Sequence, residues 1–156
     1  MLKDLLATIW RRAPKAVRRW SMRATHTRFT VTAAAVILNN EGHILLLKHR
    51  FRPGSGWGLP GGLIEADEQP QEALRRELSE EIGLELQKIE LFATRAFSRP
   101  RQIEIVFLCQ ATGEARPQSI EVERAVWAHV HSLPEGLPED QRRLIELAVN
   151  GSKQRD

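Results

Sequence analysis

The stretch that leaves this chain the least freedom is residues 61–84, GGLIEADEQPQEALRRELSEEIGL. Seven acidic side chains, Glu65, Asp67, Glu68, Glu72, Glu77, Glu80 and Glu81, stand there against Arg75 and Arg76 alone. Such a run can be a solvated loop and helix, but its pattern is more specific. Pro70 suits the first turn of a helix, which has no use for the missing N–H. Gln69 then falls at the N-cap, and Glu72 faces the positive helix end. Leu74, Leu78 and Ile82 form an apolar stripe. Gly83 is suited to the left-handed stop.

Glu77, Glu80 and Glu81 are spaced i, i+3, i+4 on that helix and share one face. Like charges at this spacing repel and weaken a helix. A face that only had to be soluble would do better with lysine among them. Three converging carboxylates make sense beside a hard divalent cation, Mg²⁺ or Mn²⁺, which prefers oxygen ligands. Gly61 and Gly62 would let backbone approach such a site closely.

Gly62, Glu68 and the run Arg76-Glu77-Leu78-Ser79-Glu80-Glu81-Ile82-Gly83-Leu84 match the Nudix box of the Nudix hydrolases without a departure. The flanking strands extend the resemblance to roughly residues 29–149. It implies an α/β (α+β) Nudix fold, a mixed β-sheet sandwiched between helices, with the box as loop–helix–loop. It implies a hydrolase of a nucleoside diphosphate linked to another group. Glu77, Glu80 and Glu81 become the metal ligands, with the Gly61 carbonyl as a further ligand and Glu68 joining through water. Arg76 orients the carboxylates; the plainer reading is an i, i+4 salt bridge to Glu80. Glu81 is a candidate general base, with Glu121 and Glu123 as alternatives that also read as exposed charges.

Candidate substrate contacts lie on either side of the box. Trp57 can pack the loop onto the core or stack on a base. Phe97, Arg99 and Arg101 flank Pro100, and Arg50 and Arg52 approach from the other side; each arginine also reads as a plain surface charge. His49, between Lys48 and Arg50, reads as a ligand or, more plainly, as a solvent-facing side chain. Pro100 lies sixteen residues beyond Leu84, which resembles the ADP-ribose pyrophosphatase subset. Gln102 stands where the diadenosine-polyphosphate subset carries tyrosine, and the Ser-Gln-Pro-Trp-Pro-Phe-Pro signature of NADH pyrophosphatases is absent. ADP-ribose or a nucleotide sugar is the leading expectation. The alternatives are a MutT-type nucleoside triphosphate pyrophosphohydrolase and a non-catalytic nucleotide-binding module.

The chain's 156 residues suffice for one domain. Residues 29–150 read as that domain and 151–156 as a polar, frayed tail. Residues 1–28 carry eight basic side chains and one acid, so the net charge of +3 reports this arm rather than the domain. Leu2, Leu5, Leu6, Ile9 and Trp10, then Ala16, Val17 and Trp20, recur at helical spacing around Pro14. The arm reads as a basic amphipathic helical segment that packs on the domain or a second subunit, meets a membrane surface or nucleic acid, or serves as an organelle-targeting presequence. A homodimer is among the assemblies the resemblance suggests. The single cysteine, Cys109, lies in an apolar run and reads as a buried thiol, consistent with the cytoplasm.

Beyond the box, residues 29–38 and 44–48 read as a hairpin around Asn39-Asn40-Glu41-Gly42, and 51–58 as a loop. Residues 86–98, 103–110 and 125–130 read as strands, and 138–149 as a C-terminal helix.

Overall fold

Thr30–Leu38 forms β1, whose Val, Ala and Ile residues are buried on both faces from Ala33 to Ile37. The computed structural model describes residues 11, 14–17, 28–111 and 113–152. A strand without a solvated face belongs in the middle of a sheet. On one side β1 pairs in parallel with β6, Arg101–Ala111, from Thr30↔Gln102 to Leu38↔Gln110. β6 in turn pairs antiparallel with β5, Leu86–Ser98. On the other side β1 meets β4, Gly61–Leu63, and touches β2, Ile44–His49, through the single pair Leu38↔Ile44. β2 carries the sheet onward to β3, Trp57–Gly58, and β7, Val122–Ala128.

The period of two along the strands sorts side chains to two cores. Ala33, Ala35, Ile37, Leu45, Leu47, Phe107 and Cys109 pack against Ala73, Leu74, Leu78 and Ile82 of helix α1, Pro70–Ile82. Val36, Ile44, Leu46 and Val106 pack against Leu144, Ile145 and Ala148 of helix α2, Glu139–Ser152. The expected mixed sheet between helices is therefore observed. Leu78 is fully buried, so Leu78→Ala would cost ~2–5 kcal/mol.

Several expectations are corrected. The hairpin exists only at its base. Asn39 Oδ1 accepts from the Glu41 and His43 amides, and beyond that turn β4 takes the place beside β1. The region before the box helix contains β3 and β4 rather than loop alone. β7 starts at Val122 and ends at Ala128, before a short 3-10 turn at Val130–Ser132. α2 begins with the Gln141 and Arg142 amides donating to the Pro138 carbonyl and runs through Gly151; residues 153–156 of the expected polar tail lie outside the described residues. Cys109 is buried as expected, which pushes its thiol up to about 12. The arm lies mostly outside the described residues; of it, residues 15–17 are helical and exposed. Among the described residues no helix is long and apolar enough to cross a membrane.

Candidate active site

Gly61 and Gly62 bring β4 against the two halves of the site. At Gly61, with φ 147°, a Cβ would run into the Ala33 carbonyl and Ala34 Cα of β1. At Gly62 a Cβ would overlap the Glu77 carboxylate. The glycines thus let a strand touch its neighbour on one side and a helix carboxylate on the other.

The box helix begins and ends as its sequence dictates. The Gln69 amide donates to the Glu72 carboxylate at 3.0 Å. Gly83 adopts the left-handed conformation, φ 65°, and its amide reaches the Ser79 carbonyl. The last turn is also capped from outside. The amides of Gln118 and Ser119 donate to the Glu81 carbonyl and that of Arg116 to the Ile82 carbonyl. This draws the loop before β7 to the foot of Glu81.

Arg76 gathers the first acids. It donates to Glu68 through Nε at 2.9 Å and Nη2 at 3.1 Å, to Glu77 at 3.0 Å, and to the Leu63 carbonyl. The expected i, i+4 contact with Glu80 is present but longer, 3.6 Å, and Glu80 is 62% exposed. Both Glu68 oxygens serve the arginine, whose hydrogen bonds hold that carboxyl below its ordinary range. Glu68 is therefore the anchor of Arg76.

Glu81 differs from these. It is 7% exposed, and burial, then the charge of Glu77, push its carboxyl up to about 7. His49 faces it, Nδ1 3.7 Å from Oε1, with both side chains 10% exposed. Burial, then Arg52, hold this imidazole down at about 4, so it is neutral. The expectation of a solvent-facing His49 is wrong. It continues the Leu45, Leu47 face of β2 toward α1, and this period of two was legible.

Arg52 lies over Gly58, where a Cβ would strike its guanidinium. Burial lowers its pKa, opposed by the charges of Glu81 and Glu104. Beside it a cleft of about 110 Å³ opens behind Gly61 and Gly62, walled by Thr32, Gln102, Glu104 and Gln141. Gln102 donates to the Thr32 hydroxyl, Gln141 accepts from the Leu59 amide, and Glu104 is paired with Arg95. Sequence reasoning missed this polar wall, since its members come from three separate elements, β1, β6 and α2.

The other substrate candidates are less central. Trp57 packs against the α2-side core. Phe97 is half-buried, with the Arg95 guanidinium 5.1 Å above its ring. Arg50 and Arg99 are exposed. Glu123 is spent on Lys48 at 3.1 Å, whereas the charge of Glu121 is felt at Glu81.

Among the described residues, no three His, Cys, Asp or Glu side chains are gathered closely enough to hold an ion in this conformation. In this conformation Arg76 holds Glu77 at 3.0 Å, Glu80 is exposed and Glu81 is buried. The donor chemistry nevertheless fits a hard cation. Glu81 Oε2 is buried without a hydrogen-bond partner, and so are His49 Nε2 and Arg52 Nη1. An uncompensated buried carboxylate is costly, and an oxygen-seeking ion would relieve it.

Comparison with known proteins agrees with this geometry. A family model described as the NUDIX domain matches residues 28–148. The chain is 33% identical over 123 residues to the 8-oxo-dGTP diphosphatase of Haemophilus influenzae, covering 76% of this chain and 90% of that protein. It is 32% identical over 123 residues to the NAD-capped RNA hydrolase NudC of Stutzerimonas stutzeri, covering 75% of this chain but spanning only 44% of that relative. Among solved structures, the MutT Nudix hydrolase from Burkholderia pseudomallei matches with TM-score 0.68 and 29% identity over 77% of this chain and 98% of that one. A complete box, a mixed sheet between two helices and a family match over well over half the chain lead to one conclusion: this protein belongs to the Nudix hydrolase family.

Proposed function

We propose that the chain hydrolyses the phosphoanhydride of a nucleoside diphosphate derivative, with ADP-ribose or a nucleotide sugar as the leading substrate class. The observation that carries this reading is Glu81, a buried carboxylate with an unpartnered oxygen, one helical turn beyond the Glu77 that lies against Gly62. Glu77, Glu80 and Glu81, with the Gly61 carbonyl, are the groups to hold Mg²⁺ or Mn²⁺. Such an ion would neutralise phosphate oxygens and acidify water next to it. Arg76, fixed by Glu68, holds Glu77 against Gly62. Arg52 offers a buried, unpartnered N–H to an anionic substrate oxygen.

Away from Arg52, the α2-side cleft favours a neutral ring over a further phosphate. Its wall carries the buried Glu104 carboxylate, and Arg95 beside it is already bound to Glu104 and Asp140. The exposed Pro100 stands at the β5–β6 turn, just beyond the Phe97↔Gln102 pair at the end of that wall. A second reading, a MutT-type nucleoside triphosphate pyrophosphohydrolase, is favoured by the similarity to an 8-oxo-dGTP diphosphatase.

A panel of nucleotide sugars, ADP-ribose and nucleoside triphosphates, assayed with Mg²⁺ and Mn²⁺, tests both. Preference for diphosphate-linked sugars supports the first reading and preference for triphosphates the second. Tight nucleotide binding without turnover would leave a non-catalytic binding module.

A further inference from the structure

We infer that His49 is a positioning residue that holds the Glu81 carboxylate through its Nδ1 edge. The inference rests on the metal-dependent reading above. Carboxylates that ligate metal ions need a hydrogen-bonding partner of their own to fix their orientation. Glu77 has Arg76 at 3.0 Å, and Glu80 has the same guanidinium at 3.6 Å. Glu81 has neither. Among the described residues, the basic side chain within 4 Å of it is His49, whose Nδ1 lies 3.7 Å from Oε1, just beyond hydrogen-bond length.

The fold places this histidine deliberately. The His49 amide donates to the Gly56 carbonyl at 2.9 Å, and Gly56 has no Cβ to strike the His49 carbonyl. The β2–β7 register shifts between Lys48 and His49, with Glu123 the extra residue on β7 and His49 still paired with Val122. The ring is nine-tenths buried against the α1 side of the sheet, with no hydrogen-bond partner at Nε2. An arginine here would compete with a cation for the carboxylate. An imidazole N–H offers a single donor at that edge.

Asparagine and glutamine separate the two ring nitrogens, because the Asn amide nitrogen occupies the place of Nδ1 and the Gln nitrogen that of Nε2. Mg²⁺ binding to substrate-free protein is measured by calorimetry, turnover on the panel's best substrate by steady-state kinetics, and folding by thermal melting. His49→Ala and His49→Gln should each weaken Mg²⁺ binding and lower kcat by about tenfold with little change in KM, while His49→Asn stays within about threefold of the parent. Retention by His49→Gln with loss in His49→Asn would shift the work to Nε2 and overturn the inference. So would equal loss in all three variants, or a His49→Ala protein that binds Mg²⁺ as the parent does. If the parent itself takes up no Mg²⁺, both this inference and the metal-dependent reading fall. Parent-like uptake by His49→Ala removes only the role of the histidine.

Discussion

Two charged side chains are buried among the described residues, Glu81 at 7% exposure and Glu104 at 9%, and the protein treats them in opposite ways. Glu104, on the α2 side of β6, accepts both Nε and Nη2 of Arg95. That arginine also donates to Asp140 at 2.7 Å in the first turn of α2 and rests on the Phe97 ring. Glu81, on the α1 side, has an unpartnered oxygen and a neutral histidine 3.7 Å away. Equal burial therefore means different things. The paired carboxylate ties two strands to a helix. The unpaired one costs stability in the isolated chain, and that cost becomes useful only when something from outside supplies the positive charge.

The largest expected effect separates the two directly. Glu81→Gln should lower turnover by ~10²-fold or more while leaving metal-free stability unchanged or higher, because it removes an uncompensated buried charge. Glu104→Ala should cost about 3 kcal/mol of stability, since it strands part of the Arg95 charge. Urea unfolding without metal and kcat with Mg²⁺ check both. If Glu81→Gln keeps full metal-dependent turnover, Glu81 and Glu104 do not differ in role.

The paired glycines extend the contrast from charge to backbone. Gly61→Ala pushes a Cβ into the β1 backbone at a positive φ, and backbone cannot swing aside. It should destabilise the fold by about 2 kcal/mol. Gly62→Ala meets only the end of the Glu77 side chain, which can rotate away from Arg76. It should leave stability nearly intact and reduce kcat by about tenfold, the usual scale for disturbing a ligand's support. Equal melting temperatures for the two variants would break this pairing of roles.

What could be read from the sequence was local. Pro70, the Leu74–Leu78–Ile82 spacing and Gly83 fix α1 within one stretch of chain, and the structure places its ends there. β3 and β4 are two and three residues long and glycine-bearing, with no propensity of their own. They are strands because Lys48↔Trp57 and Thr32↔Leu63 pair them with distant segments. The same holds for Arg76. Its contact with Glu80 follows from helical spacing, but its stronger hold on Glu68 and the Leu63 carbonyl depends on how the preceding loop folds back. His49 is the instructive miss. The alternation Leu45, Leu47, His49 points inward, while the flanking charges of Lys48 and Arg50 point to solvent and mask it in the local composition.

The smallest effect concerns protons, and its sign differs for each partner in the Glu81–His49 pair. Glu81 is raised from 4.5 to about 7, so its contribution favours the fold below pH 4.5 and fades as pH rises to 7. His49 is lowered from 6.5 to about 4, so its contribution is complete above pH 6.5 and fades as pH falls to 4. Between pH 4.5 and 6.5 the two slopes oppose one another. The metal-free parent should therefore show a nearly flat contribution from this pair across that window. Neither group is the main cause of the other's shift, since burial dominates both. Removing one should then expose the slope of the other. Relative to the parent, Glu81→Gln should lose on the order of 1–2 kcal/mol as pH falls from 6.5 to 4, and His49→Asn should lose a similar amount as pH rises from 4.5 to 7. Urea midpoints across that range, measured in chelator, give both slopes. Parallel curves for the parent and both variants would mean that water reaches Glu81 and His49 freely, and that Glu81 is no more starved of partners than Glu104.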